Sequence, residues 1–503
     1  MNSPSVGANG APQLITYVDR LGGDLAGLRR VLDGPMAGAF GGVHLLPFFD
    51  PIDGADAGFD PVDHATVDPR LGDWSGVAAL AETHEVMADL IVNHVSADSA
   101  EFRDWVAKGA ASEFDGMFLT ADAVFGGSPD PDEIAAIYRP RPGAPFTEMQ
   151  IAGETRQVWT TFTANQVDLD VDHPAAWAYL IRVLDALASG GVTLVRLDAV
   201  GYAIKRRGTS CFMLPETFEF IGRLSDECRA RGMTMLVEIH SYFETQIEIA
   251  RQVDLVYDFA LPPLVLHALH EADAEPLAAW LRRRPTNCVT VLDTHDGIGV
   301  VDVASEGDRP GLLPDAAVDA LVESIHDASG GQSRQATGAA ASNLDLYQVN
   351  CTFPAALGND DAATVIARLI QLLVPGIPQV YYAGVLAAPN DMELLARTGV
   401  GRDINRPYFD EPGLEAEAER PVVADLLRLC RWRTEQSARF DGDFEVVGAA
   451  DGVLTLRWTA EAGVTTARID LAARTFALDL DGVVVTSIGE LPLDARTERW
   501  VGA

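Results

Sequence analysis

The sequence is short of positive charge and of cysteine, and it has no long apolar run. Lysine and arginine number 37 against 74 acidic residues, a net charge of −37. Such a surface repels phosphate backbones and anionic lipid headgroups, so neither nucleic acid nor a membrane is expected as a partner. The five cysteines, Cys211, Cys228, Cys288, Cys351 and Cys430, are odd in number, far apart and without a C-x-x-C pair. They indicate neither a disulfide framework nor a zinc site, and a reduced cytoplasm fits best. Residues 1–13 contain no basic residue and no apolar stretch, so no signal peptide is expected. The most apolar later stretch, residues 369–389, is broken by Pro375 and Pro378. It falls short of the roughly 18 uninterrupted apolar residues of a spanning helix.

What is present is the composition of a soluble globular enzyme, 48% hydrophobic and 22% charged over 503 residues. That length exceeds what one ordinary core organises, so a large domain with insertions and a smaller domain are expected. Short apolar runs that end in polar residues or at a turn recur at 14–17, 43–48, 87–94, 192–198, 235–240, 255–259, 289–296 and 379–382. Continuous runs of this kind suit strands buried on both faces of a parallel sheet. Segments between them, such as 175–188 and 215–231, carry helical periodicity. Eight strand–helix alternations predict an α/β fold, a (β/α)8 TIM barrel.

Two gaps are too long for a βα loop, 95–172 and 298–358, and both read as inserted subdomains. Near the end, Val453-Leu-Thr-Leu-Arg-Trp458 and Thr475-Phe-Ala-Leu-Asp-Leu480 alternate in the strand manner, which predicts a small C-terminal all-β domain. The expected division is a catalytic barrel over 1–91, 173–297 and 359–438, inserts over 92–172 and 298–358, and a β-domain over 439–503.

Catalytic groups of a barrel project from the C-terminal ends of its strands, where Asp198, Glu238 and Asp296 close three of the runs. An isolated acid there is often only a helix cap; three on one rim point to chemistry. Cleavage of a glycosidic bond needs one carboxylate at the anomeric carbon and one carboxylic acid at the leaving oxygen, about 5 Å apart in retaining enzymes. Carboxylates on a barrel rim also serve metals or proton abstraction, and spacing alone leaves these open. Arg196, two residues before Asp198, faces the same side of a strand and can hold that carboxylate ionised. His94, His240 and His295 also sit at run ends, as a sugar-hydroxyl clamp or a zinc site, although no H-x-H or H-E-x-x-H spacing supports the metal. The acids Asp50, Asp53, Asp56 and Asp60 lack EF-hand spacing, and His267 and His270 have no second ligand pair. No metal and no cofactor are expected.

Asp63-His64, Ile91-Val-Asn-His94, Val195-Arg-Leu-Asp-Ala-Val200, Leu236-Val-Glu-Ile-His240 and Leu292-Asp-Thr-His-Asp296 resemble, in order, the characteristic blocks of the α-amylase superfamily. The resemblance implies that Asp198 is a nucleophile, Glu238 a general acid/base and Asp296 a carboxylate that binds sugar hydroxyls and stabilises the transition state. Gln13-Leu-Ile-Thr-Tyr17, Leu46-Pro-Phe-Phe49, Ile137-Tyr-Arg-Pro-Arg-Pro-Gly143, Gly208-Thr-Ser-Cys-Phe-Met213, a segment over 339–350 and Gly401-Arg-Asp-Ile-Asn-Arg406 narrow the match. From about residue 13 to about 435 the chain resembles the sucrose phosphorylase family within that superfamily.

This resemblance implies that Asp56, His94, Arg196, His295, Asp296 and Arg402 hold a glucosyl unit walled by Phe59 and Phe162. By residue type alone, both phenylalanines read equally well as core aromatics. It implies further that Tyr138, Pro140, Arg141, Gln166, His240, Asp345, Tyr347 and Gln348 shape an acceptor side where fructose and phosphate bind in turn, and that Tyr202 also binds substrate. Arg141 suits bidentate phosphate binding on an otherwise acidic protein, or else pairs with a surface acid. The implied partners are sucrose, fructose, glucose 1-phosphate, inorganic phosphate and a second copy in a homodimer. Leaving groups other than fructose (sucrose 6'-phosphate, glucosylglycerol or glucosylglycerate chemistry), a sucrose hydrolase and a non-enzymatic binding homologue are the alternatives.

Overall fold

A computed structural model describes residues 10–54, 56–139, 143–338 and 348–494. The eight runs form eight strands: β1 (Gln13–Thr16), β2 (Gly42–Leu45), β3 (Glu85–Ile91), β4 (Val192–Asp198), β5 (Thr234–Val237), β6 (Leu255–Asp258), β7 (Cys288–Thr290) and β8 (Ile377–Tyr381). They follow one another in chain order around a closed parallel barrel, with β8 returning to β1. Every residue of β1, β2, β6, β7 and β8 is buried, because one face fills the barrel and the other is covered by helices.

Four ladders stop three or more residues short of the apolar runs that announced them, at Leu45, Ile91, Val237 and Thr290. Beyond those points the backbone is bound elsewhere. His94–Ser96 pairs antiparallel with Gln166–Asp168, and Asn405 Nδ2 donates to the carbonyls of Thr294 and Asp296 at 3.4 and 2.7 Å. Apolar content cannot separate a strand from the buried loop that continues it, because both exclude water.

The helices follow from local signals. Pro174–Ser189 starts with proline in its first turn, where a missing N–H costs nothing, and His173 accepts from Ala175 N at 3.2 Å. Its buried residues Ala176, Tyr179, Leu180, Val183, Leu184 and Leu187 form one stripe at helical spacing. Pro215–Ala230 repeats the design with Phe220, Ile221, Leu224 and Cys228 inward. Each large apolar side chain so covered contributes roughly 1.5–3 kcal/mol.

Two compact units are described, one of Met1–His44, His240–Arg251 and Leu255–Ala503, the other of Leu45–Ile239 and Gln252–Asp254. The second unit carries, between β3 and β4, the helix Ala100–Lys108 and a hairpin, Phe146–Ile151 with Glu154–Trp159. Ala152 and Gly153, at φ 50° and 85°, make the tight turn of that hairpin. In the first unit, Ile298–Gly299 pairs with Gln348–Val349, and the helix Asp315–Ala328 lies between them in sequence.

The first unit ends in an antiparallel meander, β9 (Gly442–Ala450), β10 (Val453–Ala460), β11 (Gly463–Asp470), β12 (Thr475–Leu480) and β13 (Val483–Val485). Leu454, Leu456 and Trp458 alternate inward along β10, and Trp458 Nε1 ties the sheet to the carbonyl of Leu373 at 2.6 Å. All five cysteines are buried and unpaired. No helix among the described residues is long and apolar enough to cross a membrane.

Candidate active site

In the second unit, register does the positioning. Arg196 of β4 lies opposite Asp89 of β3, and Leu197 lies opposite Val237 of β5. One further step along the same register sets Glu238 across from Asp198, on strands about 4.8 Å apart. Arg196, only 3% exposed, touches all three acids. Its guanidinium pairs with Asp89, donates to Asp198 Oδ1 at 3.1 Å and lies 3.3 Å from Glu238 Oε1. The i, i+2 relation of Arg196 and Asp198 therefore yields the contact expected of it.

The chain leaves β4 abruptly. Ala199 takes φ 55°, a left-handed conformation that costs an alanine roughly 1–2 kcal/mol. That turn aims the Ala199 N–H at Glu238 Oε2, 3.3 Å away.

Around this centre lies a second ring of groups. Asp56 Oδ2 is 3.4 Å from Gln166 Nε2, and Gln166 Nε2 is 3.1 Å from His94 Nε2. His94 also meets the Phe59 carbonyl at 3.0 Å. Burial pushes the His94 pKa below the usual imidazole value, so the ring is neutral at neutral pH. The Phe59 ring lies 5.7 Å from the Arg196 guanidinium, a cation–π contact. Phe162 meets His94 edge-on at 5.4 Å and Tyr202 at 5.2 Å, and Tyr138 stacks over Tyr202 at 6.2 Å. Burial, reinforced by Tyr138 and Glu238, raises the Tyr202 phenol well above its usual pKa and keeps it a donor.

In the first unit a different set meets. Arg402 Nη1 is 2.7 Å from Asp296 Oδ1, and its Nη2 donates to Gln348 Oε1 at 3.3 Å. Gln348 Nε2 lies 3.4 Å from His240 Nε2, and His240 Nδ1 lies 2.8 Å from Asp302 Oδ2. His240 stacks on Phe259 at 3.7 Å with a 13° angle between rings. His295 Nε2 stands 3.7 Å from Asp296 Oδ1, with its carbonyl held by Arg406 Nε at 2.9 Å. His240, Phe259, Asp296, Gly299, Tyr381 and Asn405 border one pocket.

Residues 5–268 match the catalytic domain of the α-amylase family. The chain is 57% identical over 449 residues to the sucrose phosphorylase of Agrobacterium vitis, covering 89% of this chain and 92% of that one. It belongs to the sucrose phosphorylase family. The sucrose phosphorylase of Bifidobacterium adolescentis is 52% identical over 458 residues, 90% of this chain and 91% of that relative. A crystal structure of sucrose 6F-phosphate phosphorylase from Thermoanaerobacter thermosaccharolyticum superposes with a TM-score of 0.87 at 36% identity, covering 96% of this chain and 98% of that one.

Four residues singled out by the family resemblance, Pro140, Arg141, Asp345 and Tyr347, lie outside the described residues. Several members of the two clusters were not singled out by sequence. Asp89 sits in the middle of an apolar strand and finds Arg196 only through register. Lys205 is 5% exposed, donates to Asn93 Oδ1 at 2.6 Å and pairs with Asp168 at 2.5 Å behind His94. Phe212, within a segment quoted for the family, packs on Tyr202 at 4.8 Å. Asp302 had no sequence signal at all. The acids near Asp56 serve local structure: Asp53 pairs with Arg70 at 2.8 Å, and Asp60 accepts from Asn165 at 2.7 Å. His270 meets the Ala356 carbonyl at 3.0 Å, the bond of a structural imidazole.

Proposed function

We propose that this protein is a sucrose phosphorylase, interconverting sucrose and phosphate with α-glucose 1-phosphate and fructose through a covalent glucosyl-enzyme. The observation that carries the chemistry is that Asp198, the last residue of β4, and Glu238, the residue after β5, share one guanidinium, Arg196. Carboxyls at the ends of neighbouring strands suit the separation of about 5–5.5 Å that a retaining double displacement requires.

In this reading Asp198 attacks the anomeric carbon of sucrose while Glu238 gives its proton to the fructosyl oxygen. Fructose departs, and a β-glucosyl ester is left on Asp198. Phosphate enters on the face that fructose vacated, returns a proton to Glu238 and attacks the same carbon, which frees Asp198 and gives α-glucose 1-phosphate. Two inversions leave the configuration retained. Arg196 keeps Asp198 ionised before attack and balances the carboxylate that reappears afterwards.

Asp296, His295, His94, Asp56 and Arg402 are assigned to glucosyl hydroxyls, with Phe59 and Phe162 as walls. Tyr138, Gln166, Tyr202, His240 and Gln348 are assigned to the acceptor side. Pro140, Arg141, Asp345 and Tyr347 join that side through the family resemblance, as does the homodimer. The five unpaired cysteines support a reduced, cytoplasmic setting.

Product analysis tests the proposal. Purified protein given sucrose is expected to release α-glucose 1-phosphate and fructose in equal amounts, only with inorganic phosphate present. Free glucose alone would identify a hydrolase, and absence of fructose would move the search to other α-glucosides.

A further inference from the structure

Asp302 is wholly buried, and both of its carboxylate oxygens are engaged. Oδ1 accepts from the Ser241 N–H at 3.2 Å and faces Gln246 Nε2 at 3.3 Å. Oδ2 lies 2.8 Å from His240 Nδ1. A backbone N–H only donates and a carboxylate only accepts, so this geometry calls for a hydrogen on Nδ1.

Two further observations bear on the same imidazole. Gly299 stands against the pair: a Cβ there would lie 3.0 Å from Asp302 Oδ2 and 3.1 Å from His240 Cε1. The same glycine pairs with Gln348 across the short ladder. Gln348 is itself oriented, because Arg402 only donates and takes its Oε1. The Gln348 NH₂ therefore points toward His240 Nε2, a nitrogen that must offer a lone pair to receive it.

We propose that Asp302 is a positioning residue that holds His240 in the Nδ1–H tautomer, so that Nε2, exchanging its 3.4 Å contact with the Gln348 amide, accepts a hydrogen from a hydroxyl of the leaving group or the incoming acceptor. The proposal rests on the acceptor-side reading of His240 given above. A site built to accept from a hydroxyl rejects groups that cannot donate there. Asp302→Asn reverses the polarity. Ser241 N–H retains the amide oxygen, the amide NH₂ turns to Nδ1, and the ring is driven to Nε2–H.

Nitrogen-15 NMR of the imidazoles at mildly alkaline pH reads the tautomer, with His240 assigned by the signals lost in His240→Gln. The expected result is Nδ1–H in the wild type and Nε2–H in Asp302→Asn. Nε2–H in the wild type overturns the proposal, whether or not the variant folds. The kinetic arm compares sucrose with α-D-glucosyl fluoride, whose fluoride leaves with no hydroxyl to recognise. Asp302→Asn should lower kcat/KM for sucrose at least about tenfold more than for the fluoride, and should add little in a His240→Gln background. Equal losses on the two donors, or full additivity in that cycle, would mean that Asp302 only braces its loop. The tautomer is read without turnover. A wild type inactive on sucrose therefore counts against the proposed function alone.

Discussion

The charged groups of the second unit are placed by strands, and those of the first unit by loops. Asp89, Arg196, Asp198 and Glu238 lie in or directly after ladder positions, and the barrel register alone brings them together. Asp296, His240, Asp302, Gln348 and Arg402 lie beyond the barrel ladders. Their backbones are held by side chains such as Asn405 and Arg406, or by a two-residue strand pair. A group fixed by register is rigid because moving it breaks a whole strand pairing. A group on a loop depends on a few bonds, which makes it easier to reshape for a different leaving group.

The sharpest test of this contrast is Arg196→Met. It leaves Asp89 buried without its cation and removes the partner of Asp198 and Glu238. The expected cost is roughly 3–5 kcal/mol of stability, measured by urea unfolding, together with a fall in kcat/KM of about 10³-fold. A variant as stable as the wild type would break the comparison on its strand side.

Acid provides the next test. His64 is buried beside Phe49 and meets the Asp89 carbonyl at 3.3 Å, and burial lowers its pKa to about 4. The unfolded imidazole titrates near 6.5 and takes a proton that the folded one refuses. Its contribution to stability is therefore full above about pH 6.5 and is lost as the pH falls toward about 4. Urea unfolding at several pH values should show a loss of a few kcal/mol across that window, and His64→Asn should flatten it. An unchanged slope in the variant would remove His64 as the cause.

Arg402→Ala makes the smallest change. Arg402 is 33% exposed and touches Asp296 and Gln348, so its loss should cost at most about 1 kcal/mol of stability. It should lower kcat/KM for sucrose about tenfold, the weight of one charge-assisted hydrogen bond. A stability loss as large as that of Arg196→Met would erase the distinction between the two regions.

Asp198 and its Arg196 were legible because both lie within one strand, where a spacing of two fixes the face. The helix over 174–189 was legible from its proline start and its apolar stripe. Asp89 was hidden because an acid in the middle of an apolar strand has a partner only once the neighbouring strand and its register are known. Asp302 was hidden for the same reason: His240, its partner, is 62 residues away in sequence, and no periodicity reaches that far.

Local order thus belonged to the sequence: eight buried runs, the helices between them, the terminal β meander and the three carboxylates at run ends. Backbone periodicity and burial are short-range properties written into neighbouring residues. The tertiary structure decided where each ladder stops, which acids share Arg196, and how Asp302, Gly299 and Gln348 surround His240. Those outcomes depend on strand register and loop closure, which place residues together that no local pattern connects.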